Sequence, residues 1–148
     1  MSFYNNLEKF TDKVALVKED LKVITYHELQ SAADDLVQSF NKGQLVFNFC
    51  SNNYEAVVGY LGFLRKGLPQ LLLGQSLDKG LFKKLLELYK PSYIFLPALK
   101  IKEFECLNQC LEVHRFNSYS LIKTNKLPFL KVKNLVSNPF RLPRMSSV

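Results

Sequence analysis

The stretch from residue 44 to residue 75, QLVFNFCSNNYEAVVGYLGFLRKGLPQLLLGQ, constrains the fold more than any other part of the chain. It begins with a short apolar segment, residues 45–49, whose aromatic and β-branched side chains favour a strand buried on both faces. Apolar residues then recur at helical spacing over residues 54–64. Residues 71–73 are all leucine and predict a second buried strand. We therefore expect a strand, helix, strand unit with parallel strands and a right-handed crossover.

The ends of this helix are marked by residues with strong positional preferences. Asn52 is followed three residues later by Glu55, which is the spacing of a capping box, so we expect Asn52 to be the N-cap. Gly67 suits the C-cap, and Pro69 excludes further helix. These signals predict a helix that begins after Asn52 and ends before Gly67.

The segment before this unit predicts a hairpin and a helix. Residues 14–17 and 21–24 are apolar and flank a short polar turn, which is typical of two antiparallel strands. Thr25 with Glu28 has the capping-box spacing, and the apolar residues from 26 to 40 then lie on one helical face. The hairpin is therefore expected to lead directly into an amphipathic helix.

The segment after it predicts one more helix and one more strand. Ser76 or Asp78 can cap a helix with one apolar face, and residues 93–96 form a third buried strand. The predicted fold class is α/β, with a small, mostly parallel sheet flanked by helices and an N-terminal hairpin. At 148 residues and 47% hydrophobic composition, the chain is long enough to bury a core of its own.

The net charge of +7 is confined to the last quarter of the chain. Residues 1–112 contain 13 basic and 13 acidic residues, whereas residues 113–148 contain seven basic residues and no acidic ones. We therefore divide the chain into an α/β scaffold, residues 1–112, and a basic, irregular tail, residues 113–148. The tail could bind nucleic acid, but its aromatic residues lack a stacking pattern, so no specific nucleic-acid partner is expected.

The location of the protein is predicted from what the sequence lacks. No run of about 18 apolar residues is present, so no membrane span is expected. The first residues lack the basic and then apolar pattern of a signal peptide. Three cysteines at irregular spacing favour reduced thiols. We expect a cytoplasmic protein.

Several short motifs occur in a characteristic order. They are TYxEL at residues 25–29, Gly43 before an apolar strand, NxxE at residues 52–55, RKG at residues 65–67 and the strand YIFLP at residues 93–97. Together they resemble the N-terminal region of the AMP-forming adenylate-forming superfamily, which comprises acyl-CoA synthetases, adenylation domains and luciferases. The resemblance covers roughly residues 10–97 and implies a part of an AMP-dependent ligase that activates a carboxylic acid with ATP and Mg.

Nucleotide chemistry of this kind needs a loop rich in Ser, Thr and Gly, followed by Lys, to hold the phosphates. The sequence contains no such segment and no Walker or GxGxxG motif. We therefore expect a truncated, inactive N-terminal part of a ligase, with no catalytic residue and no cofactor of its own. A reading-frame change near Lys126 would explain the composition of the tail. The alternative is a non-catalytic interaction module that pairs with a second polypeptide carrying the ATP site.

One group of residues is a candidate for a substrate or interdomain cleft. Asn52, Asn53 and Tyr54 occupy a strand-to-helix turn at the carboxyl end of a strand, where open parallel sheets bind ligands. Helix capping by Asn52 and packing by Tyr54 explain the same residues without a ligand. Both interpretations stay open at the level of sequence.

Other polar and reactive residues have simpler explanations. Cys106, Cys110 and His114 would share one stripe if they were helical, but a fourth metal ligand is missing, so no metal site is expected. Cys50 precedes a helix, whose dipole would lower the pKa of the thiol. Neither His27 nor His114 can be placed beside it as a base, so a core cysteine is the expected role. Gly59 and Gly62 are expected to allow close packing of the helix.

Overall fold

The computed structural model describes residues 2–125 and Leu127. In chain order the strands and helices are β1 (Val14–Val17), β2 (Val23–Thr25), α1 (Tyr26–Leu36), β3 (Val46–Cys50), α2 (Tyr54–Lys66), β4 (Gln70–Gly74), α3 (Lys79–Tyr89), β5 (Tyr93–Pro97), α4 (Ala98–Ile101), β6 (Leu111–Phe116) and β7 (Tyr119–Lys123). Short 3-10 helices occur at Phe3–Asn5, Leu7–Phe10 and Glu105–Leu107. The alternation predicted from β1 to β5 is confirmed.

The main sheet has five strands in the order β4-β3-β5-β7-β6. β3 lies between β4 and β5 and is parallel to both, whereas β7 is antiparallel to its neighbours β5 and β6. Four of the five strands therefore run in one direction and β7 alone runs in the other. β1 and β2 form a separate antiparallel hairpin. The predicted α/β fold class, with a mostly parallel sheet and an N-terminal hairpin, is confirmed.

Helices cover both faces of the sheet, because successive residues of a buried strand point to opposite faces. Val46 of β3 packs with α1 and α2, whereas Phe47 and Phe49 pack with α3 on the other face. Asn48 is the polar exception in this strand and is fully buried. Its Nδ2 donates a hydrogen bond of 3.1 Å to Oε1 of Gln70, while no described group pairs with its Oδ1.

The end of the described chain joins the sheet. The predicted boundary between residues 112 and 113 falls inside β6, and β7 is buried between β5 and β6. Lys126 and residues 128–148 of the predicted tail lie outside the described residues.

α1 and α2 lie close together at a glycine. A Cβ added to Gly62 would lie 2.7 Å from the carbonyl oxygen of Ala33 in α1. Beside this contact, Arg65 of α2 donates two hydrogen bonds of 2.8 and 2.9 Å to the carboxylate of Asp34. Its third bond, of 2.6 Å, goes to the carbonyl oxygen of Tyr4. The ion pair thus joins α1, α2 and the N-terminal segment.

Replacing Gly62 by Ala should destabilise the fold by about 1–3 kcal/mol, because the neighbouring atom belongs to a helix backbone that cannot rotate away. Denaturant unfolding followed by circular dichroism measures the change. Gly74→Ala is the matched control, since a Cβ there meets nothing within 4 Å; its effect should stay within about 0.5 kcal/mol. Equal unfolding free energies for Gly62→Ala and Gly74→Ala would show that α1 and α2 can move apart at Gly62 without loss of stability.

Candidate functional site

One groove in the described part of the chain has the predicted cleft residues on one wall. Its volume is about 520 Å³, and it lies between the turn of the β1–β2 hairpin and the start of α2. The lining residues are Leu16, Val17, Lys18, Glu19, Asp20, Asn52, Asn53, Tyr54, Glu55 and Val57. The structure thus brings Asn52, Asn53 and Tyr54 together and places them opposite the hairpin turn.

The N-cap of α2 is Asn53 and not Asn52, so the capping prediction was wrong by one residue. The side chain of Asn53 accepts a hydrogen bond of 2.9 Å from the backbone N–H of Ala56. The side chain of Asn52 is exposed at the rim of the groove. Two adjacent asparagines both suit an N-cap, and the backbone at the end of β3 decides which of them is in the capping position.

Tyr54 forms the aromatic wall of the groove. Its ring centroid lies 5.6 Å from that of Phe116 in β6, and Nζ of Lys18 lies 5.6 Å from the same ring. Burial raises the pKa of the Tyr54 hydroxyl, and the carboxylates of Glu28 and Glu55 raise it further. Tyr54 is therefore protonated near neutral pH and can only offer a hydroxyl, not a phenolate, to the groove.

A second residue of this region was not singled out by the sequence. Tyr119, at the start of β7, is fully buried, and its hydroxyl donates a hydrogen bond of 3.0 Å to the carbonyl oxygen of Phe49. The hydroxyl oxygen of Tyr119 also lies 3.1 Å from Oγ of Ser51 and accepts a hydrogen bond of 3.2 Å from Nε2 of Gln75. One hydroxyl thus holds the ends of β3 and β4 and the turn that leads to Asn52. The signal available in the sequence was a tyrosine close to the apolar residues Leu121 and Ile122, because a buried tyrosine hydroxyl needs hydrogen-bond partners.

The cysteines are half-buried free thiols. Burial raises the pKa of the Cys50 thiol, so the expected lowering by the helix dipole is not found. Burial, together with the neighbouring Cys106, raises the pKa of Cys110 to about 11. Cys106 and Cys110 pack against the core on the α3 side. His114 lies on β6 instead, so the three residues do not form the stripe that a helix would have given.

A second groove, of about 510 Å³, lies between α1 and β6. It is lined by His27, Glu28, Ser31, Ala32, Asp35, Leu36, His114 and Phe116. Both histidines of the chain are therefore on this groove. Within the described residues, no group of three or more His, Cys, Asp or Glu side chains could hold a metal ion. No helix in the described ranges is both long enough and apolar enough to cross a membrane.

The helix N-termini at the carboxyl edge of the sheet are capped by side chains of this chain. A phosphate site at such an N-terminus uses free backbone N–H groups and a favourable dipole. At α2 the side chain of Asn53 already accepts one of these bonds, and at α3 the carboxylate of Asp78 accepts a bond of 3.0 Å from the N–H of Leu81. A carboxylate at the N-cap repels a phosphate.

Comparison with known structures identifies the class of fold. The chain matches no protein-family model and no curated protein sequence. Its architecture is that of the N-terminal subdomains of adenylate-forming enzymes, which confirms at the level of fold the resemblance drawn from the sequence.

Three solved structures illustrate this likeness. The NpsA N-terminal subdomain of Klebsiella oxytoca is 23% identical, with a TM-score of 0.53 over 62% of this chain and 25% of that one. MatB of Rhodopseudomonas palustris is 19% identical, with a TM-score of 0.61 over 70% of this chain and 22% of that one. The O-succinylbenzoate coenzyme A synthetase MenE of Bacillus subtilis, in complex with AMP, is 18% identical. Its TM-score is 0.61, and the match covers 80% of this chain and 35% of MenE. The chain thus spans between a fifth and about a third of the length of these structures.

Removing the hydroxyl of Tyr119 should weaken the fold. Tyr119→Phe leaves the buried carbonyl of Phe49 without a donor, which should cost about 1–3 kcal/mol of unfolding free energy. Tyr60→Phe is the matched control because Tyr60 is partly exposed on α2, and its effect should be within about 0.5 kcal/mol. Denaturant unfolding measures both. A neutral Tyr119→Phe would mean that the hydroxyl does not hold the strand ends together.

The thiol of Cys110 should react slowly with iodoacetamide in the folded protein. Alkylation requires the thiolate, and a rise of pKa from 9.0 to about 11 lowers the thiolate population at pH 8 roughly a hundredfold. Mass spectrometry of timed samples gives the rate at each cysteine, and the same reaction in denaturant gives the reference. Equal rates in the folded and unfolded chain would contradict the burial of this thiol.

Proposed function

We propose that this chain supplies the N-terminal scaffold of an AMP-dependent ligase of the acyl-CoA synthetase type. The observation that carries the proposal is the five-stranded sheet with helices on both faces, together with the similarity of this fold to parts of MatB and MenE at a TM-score of 0.61. In such a ligase a carboxylic acid reacts with ATP to give an acyl adenylate. The role of this chain is to hold the remainder of the enzyme in place and not to bind nucleotide.

We also propose that this chain has no nucleotide site of its own. Two observations support it: the 148 residues contain no phosphate loop, and the described helix N-termini at the carboxyl edge are capped by their own side chains. Adenylation would then depend on a nucleotide-binding part contributed by further polypeptide. A cytoplasmic location, where ATP is available and thiols stay reduced, accords with the three free cysteines.

Within this function, we assign the hairpin groove to an interdomain contact. The groove has one ammonium group, on Lys18, and three carboxylates, on Glu19, Asp20 and Glu55. This excess of negative charge disfavours a carboxylate substrate, which would be repelled at short range. Asn52, Asn53 and Tyr54 can instead offer hydrogen bonds to a neighbouring subdomain, as polar residues at the rim of an interface do.

The second candidate function is that of a non-catalytic interaction module. It is favoured by the outer edge of the sheet, where every residue of β6 except Phe116 is exposed. The groove between this strand and α1 is open along two turns of the helix. A second polypeptide that carries the ATP site could add to this edge and enter the groove.

The isolated chain should show no ATP–pyrophosphate exchange with any of a panel of aliphatic and aromatic carboxylic acids. The physical reason is that no described group can hold the triphosphate. Exchange is measured with labelled pyrophosphate in the presence of ATP and magnesium. MenE of Bacillus subtilis with O-succinylbenzoate serves as the positive control for the assay.

Exchange above background by the pure chain would overturn the proposal, and so would saturable binding of magnesium ATP measured by calorimetry. Binding without exchange would show that a nucleotide cradle exists outside the capped helix ends. Neither result would depend on the identity of the acid, because the nucleotide is common to all ligases of this type.

A further inference from the structure

Two of the three cysteines lie on the α3 side of the sheet. Cys106 and Cys110 are both half-buried, and both pack against the apolar cluster that contains Phe104. Cys50 ends β3, where it has the same parity as Val46 and therefore points to the opposite face of the sheet. The fold thus places Cys106 and Cys110 on one surface and keeps Cys50 apart from them.

The backbone around these two cysteines is wound into consecutive turns. The N–H of Leu107 donates a hydrogen bond of 2.8 Å to the carbonyl oxygen of Phe104, and the N–H of Cys110 donates one of 2.9 Å to the carbonyl oxygen of Leu107. Cys106 and Cys110 are therefore separated by little more than one turn of the chain. Residues one helical turn apart have Cα atoms about 6 Å from each other, and a disulfide bridges Cα atoms roughly 4.4–6.8 Å apart.

The acidity of the two thiols agrees with their proximity. Burial raises the pKa of Cys110 to about 11, and the neighbouring Cys106 adds to this rise, an effect that two thiols exert only at short range. Burial also raises the pKa of Cys106, but a backbone hydrogen bond and the ammonium group of Lys83 oppose that rise. Cys106 is therefore the more readily ionised thiol of the two.

We propose that Cys106 and Cys110 are a reversible thiol–disulfide pair, which a small-molecule disulfide such as oxidised glutathione converts to an internal disulfide. The Cys106 thiolate attacks one sulfur of oxidised glutathione, the S–S bond of glutathione breaks, and one glutathione thiolate leaves. Cys110 then releases its proton to water and attacks the Cys106 sulfur of the mixed disulfide, and the second glutathione thiolate leaves. The two cysteines together lose two electrons, which reduce the glutathione disulfide to two thiols.

The internal disulfide ties the segment that joins α4 to β6. In this segment the ring centroid of Phe104 lies 4.3 Å from that of Phe82 and 5.8 Å from that of Phe49, so the segment covers the core on the α3 face. Oxidation closes a covalent loop around this cover, and reduction opens the loop again. The inference does not depend on the proposed ligase function, since it rests only on the two cysteines and the segment that holds them.

Peptide mass mapping of the folded, full-length chain tests the inference. Trypsin cleaves after Lys and Arg, so Cys106 and Cys110 fall in one peptide, residues 103–115, and Cys50 falls in another, residues 43–65. The chain is incubated with oxidised glutathione, and the remaining thiols are then alkylated with iodoacetamide in denaturant. Peptide 103–115 should be unalkylated, lighter by two hydrogen atoms than its reduced form and not joined to peptide 43–65. Dithiothreitol should restore both thiols.

Single replacements test the two roles, with circular dichroism as the check of folding. Cys110→Ser should accumulate the mixed disulfide of glutathione at Cys106. Cys106→Ser should capture glutathione at Cys110 about tenfold more slowly, which is the effect of one pKa unit on the thiolate population. Cys50→Ser is the matched control and should form the internal disulfide as the wild-type chain does.

Three results would each overturn the proposal. The first is a wild-type chain that forms no internal disulfide in peptide 103–115. The second is a disulfide between peptides 103–115 and 43–65 in its place. The third is capture of glutathione at equal rates by Cys106 and Cys110. The mass of the wild-type peptide decides the matter even where a serine variant does not fold.

Discussion

Burial of β3 on both faces is the constraint on which the rest of the structure depends. Val46, Phe47, Asn48 and Phe49 are all inaccessible to solvent, so helices must lie on both sides of the sheet. α2 follows β3 on one face and α3 lies on the other, which leaves β3 in the middle of the parallel strands. The close approach of α2 depends on a glycine as well, because a Cβ on Gly59 would lie 2.5 Å from the ring of Phe95.

The carboxyl edge of the sheet is satisfied from within the chain. Asn53 and Asp78 cap the helices that begin there, and the hydroxyl of Tyr119 joins the ends of β3 and β4. In open α/β sheets this edge is the usual place for a ligand. Here the side chains of Asn53, Asp78 and Tyr119 are bonded to the backbone of the chain itself.

The two grooves differ in the charged and titratable residues that line them. The hairpin groove combines three carboxylates with a single lysine, and the groove between α1 and β6 holds both histidines with Glu28 and Asp35. Neither contains a cluster of basic groups that would attract phosphate. Both grooves lie on the α1 side of the sheet.

The sequence by itself determined the alternation from β1 to β5, because hydrophobic periodicity, the capping box at Thr25 and Glu28 and the breakers Gly67 and Pro69 act over a few residues. The sequence also indicated Asn52, Asn53 and Tyr54 as candidate cleft residues, although it predicted Asn52 as the N-cap of α2 where the structure has Asn53. Only the tertiary structure decided that β7 enters the sheet beside β5, that Tyr119 ties the strand ends together, and that the hairpin turn faces Tyr54. These contacts join residues far apart in sequence, such as Phe49 and Tyr119, and local patterns carry no information about which distant strands will pair.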